Sequence, residues 1–205
     1  NRAHNSIEAM SSIKLAQDIG FKNISIDLIF GSQTTTDQMW EENLSTFFKL
    51  EIPHLSSYSL TIEEKTALNH QILKGKLQAL DEDKNYRQYL MLQSKIDSHS
   101  FDQYELSNYC KNGLISMHNS SYWNRSNYLG IGPSAHSHNK KSRQWNISNN
   151  SKYITAIENN TPAFEIETLS HIDAYHDYLI TRLRTKWGIQ FGELAKHFPT
   201  AIQQQ

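Results

Sequence analysis

The sequence predicts an α/β fold, and three observations carry that reading. A β-branched, apolar run from Asn23 to Phe30 contains Asp27 as its only charge. Such a nearly continuous strand suits burial on both faces of a parallel sheet. Trp40, Leu44, Phe47 and Phe48 then mark a helix that Thr36 or Asp37 can cap and that ends before Pro53. His54 to Leu60 reads as the next strand, so strand, helix and strand make a βαβ unit.

The other elements follow the same rules. Asn5 caps a first helix, Glu8 completes a capping-box pattern, Ile7, Met10 and Ile13 share one face, and Gly20 is the stop. Asp81 or Asp83 starts a helix whose apolar side is Tyr86, Tyr89, Leu90 and Ile96, and Phe101 to Leu106 is a short strand. Asn139 to Asn150 reads as a polar connection. Tyr153, Ile154 and Ile157 mark a short helix ended by Pro162. Ser170 caps a longer one lined by Ile172, Tyr175, Tyr178, Leu179 and Leu183; Gly188 breaks it, and another begins near Phe191.

Bulk properties exclude several function classes. A chain of 205 residues holds one sizeable core, or one core plus a small module. A net charge of −1 gives no electrostatic footprint for nucleic acid. No apolar run reaches the ~18 residues of a transmembrane helix and no signal-peptide pattern opens the chain, so a cytoplasmic location is expected. Cys110 is the single cysteine, which rules out an internal disulfide. The ten histidines show no HxxxH spacing, so no zinc site is read.

The densest chemistry lies in His118-Asn119-Ser120-Ser121-Tyr122-Trp123, followed by Leu129-Gly130-Ile131-Gly132-Pro133-Ser134-Ala135-His136-Ser137. Buried Tyr and Trp each need a partner for the polar tip, so a core segment rarely groups so many. The glycine-bracketed turn can bring backbone close to a ligand. HNSSYW resembles the HNxxYW signature of the radical-SAM heme chaperones, the HemW type, which are relatives of oxygen-independent coproporphyrinogen III oxidase. Asn1-Arg2-Ala3-His4 resembles that family's NRxH, Ile26 to Gly31 its IDLIYG, Ser57 to Glu63 its SxYxLTxE, and Tyr104 to Asn108 its YEISN. GIGPSAHS, with Arg143 and Asn146 beyond it, completes the ordered series.

The resemblance implies the later portion of a partial radical-SAM (β/α) barrel over residues 1–105, a site segment and connection over 106–162, and over 163–205 the start of a small C-terminal helical domain. It implies a [4Fe–4S] cluster on a CxxxCxxC loop. Cluster iron needs thiolates, and this chain has one cysteine, at a position where the family has no cluster ligand. The cluster ligands are therefore expected in an N-terminal half outside the sequence, and the chain alone is expected to be inactive in radical chemistry.

For S-adenosylmethionine the resemblance implies Arg2, Asp27, Leu60, Thr61 and Ile131. An arginine fork suits a carboxylate, and polar residues near strand ends face the ligand in α/β barrels. The plainer alternatives are an Asp27 that accepts from a loop amide, a surface Arg2, a Thr61 that ends a strand and an Ile131 in the core. For heme it implies His118, Asn119, Tyr122 and Trp123, with His118 as a ligand of heme iron and Tyr122 and Trp123 flanking the porphyrin. The alternative is a loop histidine bonded to backbone. His136 is a second ligand candidate or a turn cap. Glu105, Ser107 and Asn108 are strand-end positioning residues or plain turn chemistry.

One departure from the family stands out. Ser32-Gln33-Thr34-Thr35-Thr36 replaces its Pro-Gly-containing loop after Gly31. The resemblance implies a chaperone that binds heme and passes it to acceptors such as respiratory proteins. The alternative within the family is the oxidase, which decarboxylates propionates in porphyrin biosynthesis with a 5′-deoxyadenosyl radical. A third reading is an α/β domain whose terminal helices dock a protein.

Overall fold

The computed structural model describes residues 4–198, which divide after Ser116 into two compact units. The first contains α1 (Ser6–Ile19), β1 (Ser25–Phe30), α2 (Asp37–Lys49), β2 (His54–Ser59), α3 (Ala67–Leu73), α4 (Glu82–Ser98), β3 (Asp102–Glu105) and β4 (Asn108–Cys110). Its sheet has the order β1-β2-β4-β3, with β1 and β2 parallel and the other neighbours antiparallel. The βαβ unit is present, as is the short strand read at Phe101 to Leu106. The fold is α/β.

Caps fall where the sequence places them. Asn5 and Glu8 form a reciprocal capping box, Gly20 ends α1 in the left-handed region, and Thr36 and Asp81 accept from backbone amides at the starts of α2 and α4. Phe30, Trp40, Leu44, Phe47, Leu55, Leu92, Ile96 and Tyr109 build the core between the sheet and the helices α2 and α4.

Three expectations need correction here. Strand β1 is not buried on both faces: Ile26, Leu28 and Phe30 turn inward, while Ser25, Asp27 and Ile29 are exposed. It is an outer strand of the described sheet, and the helices cover only one side. On α1, Ile7 and Met10 are exposed, and Ile13 alone of the three packs on the core. On α4 the buried stripe is Gln88, Leu92 and Ile96, whereas Tyr86, Tyr89 and Leu90 are exposed. A buried glutamine hides that stripe from a hydrophobicity pattern.

The second unit contains α5 (Met117–Trp123), β5 (His136–His138), β6 (Ser142–Asn146), α6 (Asn150–Glu158), β7 (Phe164–Thr168), α7 (His171–Leu183) and α8 (Phe191–His197). Strands β5, β6 and β7 form an antiparallel sheet in sequence order. The polar connection expected over Asn139 to Asn150 is thus a hairpin turn and a strand, whose Ser-Arg-Gln-Trp-Asn sequence carries no β-branched residue. Helices α6, α7 and α8 match their signals, with Ser170 and Asp173 in a capping box. Tyr178, Leu194 and Phe198 centre a small core, while Ile172 and Leu183 are exposed rather than lining it.

Candidate functional site

Parallel register pairs Asp27 with Ser56 and Ser25 with His54, so these residues share the sheet face opposite the helices. That face is polar. Ser25 Oγ lies 2.6 Å from His54 Nδ1, and His54 Nε2 lies 2.6 Å from the Tyr104 hydroxyl, which accepts from the Ser116 amide at 3.2 Å. Both nitrogens of a neutral imidazole are satisfied in either tautomer. Burial pushes the His54 pKa down, and the nearby Asp27 charge pulls against it. Glu105 adds a buried carboxylate that accepts from Asn108 Nδ2 at 2.6 Å and from the Ser107 amide at 3.0 Å. That turn-closing arrangement matches the plainer reading of these residues.

Leu60 and Thr61 follow the end of β2, and the Leu60 amide donates to the Phe30 carbonyl at 2.8 Å. Since Asp27 faces Ser56, Leu60 sits four residues farther along the strand direction, roughly 13 Å away. Asp27 and Thr61 are exposed and Leu60 is half-buried. The unit thus carries an open carboxylate on β1 and, beyond the end of the adjacent parallel β2, residues 60–61. Arg2 lies outside the described residues.

The altered loop after β1 is tied down from α4. Gly31, at φ 78°, donates to Gln88 Oε1 at 2.8 Å, and Gln88 Nε2 donates to the Thr35 carbonyl at 3.2 Å and to Asp37 Oδ1 at 3.1 Å. Lys84 Nζ donates to the carbonyls of Ser32 and Gln33. A Cβ on Gly31 would stand 3.0 Å from Asn85 Oδ1, so the glycine serves both its positive φ and this close approach. Lys84, Asn85 and Gln88 replace the stiffening that a proline would have given. Sequence reasoning missed them because helix polarity alone does not reveal a tether.

In the second unit, His118 and Tyr122 are exposed on one side of α5, with the phenol oxygen 3.3 Å from His118 Nε2 and the rings edge to face at 5.2 Å. Tyr128 extends the row at 4.9 Å from Tyr122, and His138 stacks on Tyr128 at 5.9 Å. Burial holds the His138 pKa below and the Tyr128 pKa above their ordinary values. Trp123 does not join that row. Five residues on from His118 it is rotated by about 140°, and its indole lies under the Arg184 guanidinium at 5.1 Å. Asn119 is half-buried on the same helix.

Ile131 is 84% exposed, which corrects the reading of it as core. The glycine turn around it serves its own chain. A Cβ on Gly130 would meet the His136 carbonyl oxygen at 2.2 Å, whereas nothing lies within 4 Å of Gly132. Asn146 Nδ2 donates to the carbonyls of Gly130 and Gly132 and pins the turn, and His136 is exposed at its end. Arg143 pairs with Glu167 and Asp177.

The donor sets differ in what they can hold. Cys110, the only thiol, is fully buried in β4, and no cluster of three or more His, Cys, Asp or Glu forms among the described residues. The residues present therefore do not fit an iron–sulfur cluster. An exposed imidazole whose Nε2 makes only one long contact, with the Tyr122 hydroxyl at 3.3 Å, does fit a heme iron. An exposed carboxylate such as Asp27 fits the hydroxyl and amino groups of a nucleoside ligand.

No family model matches the chain. A solved structure described as "Coproporphyrinogen III oxidase (HemN) from Escherichia coli is a Radical SAM enzyme" superposes over 100% of this chain and 50% of that one, with TM-score 0.81 and 14% identity. A mouse protein, "Radical S-adenosyl methionine domain-containing protein 1, mitochondrial", is 35% identical over 135 residues, 66% of this chain and 30% of its own length. The α/β sheet shares the fold of that solved structure, and the sequence is similar to a group of curated radical-SAM proteins. Within it, similarity runs nearly end to end with the "Heme chaperone HemW" of Bacillus subtilis (strain 168): 31% identity over 202 residues, 98% of this chain and 53% of that protein. The chain spans about half the length of the curated heme chaperones it matches.

Proposed function

We propose that this chain is the heme-binding part of a cytoplasmic radical-SAM heme chaperone, which takes up heme through α5 and passes it to acceptor proteins, respiratory ones among them. The observation that carries the reading is the exposed His118 imidazole, steadied by Tyr122 through a single long contact of 3.3 Å. A bond of that length costs about 1 kcal/mol or less to exchange, so Nε2 can trade the phenol for iron while the ring stays oriented. Asn119, on the same helix, supplies a carboxamide at its edge. The near end-to-end likeness to curated heme chaperones favours this reading over the oxidase. The oxidase resemblance lies at 14% identity and concerns the fold. No helix among the described residues is long and apolar enough to cross a membrane.

In the first unit, Asp27, Leu60 and Thr61 would hold S-adenosylmethionine, Asp27 through its carboxylate and the other two through the segment that follows β2. The cofactor, with a cluster held elsewhere in a longer protein, supplies radical chemistry when bound. This chain's own residues orient the nucleoside.

Heme titration tests the proposal. Wild type should give a saturable Soret shift that His118→Ala loses or displaces, and Tyr122→Phe should keep binding with altered ligand-field bands. Identical Soret position and affinity in wild type and His118→Ala would remove His118 from the site. Coproporphyrinogen turnover by the full-length, cluster-loaded protein under anaerobic conditions would favour the oxidase.

A further inference from the structure

The second unit contains a cavity of about 270 Å³ walled by Trp123, Arg125, Lys140, Tyr178, Arg182 and the His197–Glu193 pair. Its charge is lopsided. Among the described residues no carboxylate lies within ion-pair distance of Arg125, Lys140 or Arg182. The one acidic wall residue, Glu193, is taken up by His197 at 3.1 Å. Donors are in surplus as well: Arg125 Nε and Trp123 Nε1 are both buried without an acceptor among the described residues.

Buried donors left without partners cost about 1–3 kcal/mol each, more when charged, so native proteins seldom keep them idle. Among the described residues Arg125 has the Phe198 ring at 6.0 Å and, beyond ion-pair distance, the charge of Asp177, and Arg182 contributes one bond to Asn124 Oδ1 at 3.2 Å and a ring contact with Tyr178. What such a wall lacks is a group that only accepts and carries negative charge. Carboxylates and phosphates are the groups that fit, and arginine forks suit them. The volume lies below the roughly 300–1,000 Å³ of cavities that enclose a whole drug-sized ligand. It suits a side chain.

We infer that this cavity is a carboxylate subsite that takes a propionate side chain of the porphyrin, with Arg125 and Arg182 as the principal anchors and Lys140 at the rim. The assignment rests on the heme reading above and adds a polar grip to it. Trp123 then belongs to the propionate end of the ligand, which explains why α5 turns it away from His118 and Tyr122.

The test compares hemin with its dimethyl ester, which keeps iron and ring but carries no propionate charge. Wild type should bind hemin about tenfold or more tightly than the ester. Arg125→Gln and Arg182→Gln should erase most of that difference while leaving ester affinity and the His118-dependent Soret position unchanged. Lys140→Gln, at an exposed turn, should weaken hemin about threefold without risk to folding. Equal affinity of wild type for hemin and ester would overturn the subsite while leaving the heme reading standing. If wild type bound neither porphyrin, the heme reading would fall, and the cavity would be judged with free propionate by the indole N–H resonance of Trp123. A saturable shift lost in Arg125→Gln supports a carboxylate site, and no shift overturns it.

Discussion

Replacing Gln88 with leucine removes the tether between α4 and the loop after β1 while nearly preserving volume. The side chain is fully buried and makes three hydrogen bonds, to the Gly31 amide, the Thr35 carbonyl and Asp37. Gly31 is buried, so its orphaned N–H should cost about 1–3 kcal/mol. Thr35 and Asp37 are half-buried and can turn to water, adding about 1 kcal/mol or less together. A total of about 1–4 kcal/mol is a large share of the roughly 5–15 kcal/mol that holds a domain. Trp40 is a useful internal control, because its indole donates to the Gln88 backbone carbonyl at 2.9 Å, a bond the variant keeps. The assay is urea unfolding by circular dichroism, paired with amide hydrogen exchange over residues 31–36. The control is Arg87→Ala, whose exposed pair with Asp37 should be worth about 0–1 kcal/mol. A Gln88→Leu loss below about 0.5 kcal/mol with unchanged exchange in the loop would refute the tether.

Other outcomes follow from single features. Burial holds His54 and His138 below the ordinary histidine value of 6.5, so below that pH the unfolded chain binds more protons than the fold. Stability should be full above about pH 6.5 and decline as pH falls through the depressed folded values, with His54→Gln and His138→Gln each flattening part of the decline; a urea midpoint constant from about pH 7.5 to 5 would count against it. Gly130→Ala forces a Cβ against backbone at 2.2 Å and should cost about 3 kcal/mol or more, whereas Gly192→Ala, in α8 with open space around it, should stabilise by about 0.5–1 kcal/mol. Calorimetry of the pair checks both signs. Cys110 is fully buried, so it should resist thiol reagents in the native state and react only on unfolding, with mass spectrometry as the readout.

Local signals were legible in the sequence. Asn5, Thr36, Asp81 and Ser170 announced helix starts because a capping side chain is chosen by its immediate neighbours. The βαβ unit was legible because apolar runs and caps alternated at the right lengths. What stayed hidden depends on distant partners. Gln88 carries no sequence signal for its bonds to Gly31, Thr35 and Asp37, and β6 looked like a loop because pairing with β5 and β7, rather than residue preference, makes it a strand. Ile131 between two glycines read as core because the pattern of GIGPSAHS does not tell which side of the turn faces water. Around the candidate site, the motif pointed to His118 and Tyr122, but the helix turn that separates Trp123 from them emerged only with α5 in place.

The one-sided coating of the first sheet has an evolutionary corollary. Along β1, changes at Ile26, Leu28 or Phe30 would be judged by whether the protein survives at all, through abundance and melting. If Asp27, one step away, holds the nucleoside as proposed, changes there would be judged by what the molecule can still hold. A saturation scan that scored abundance and ligand retention separately would therefore print those neighbouring positions in two alternating colours, a fingerprint of division of labour within six consecutive residues.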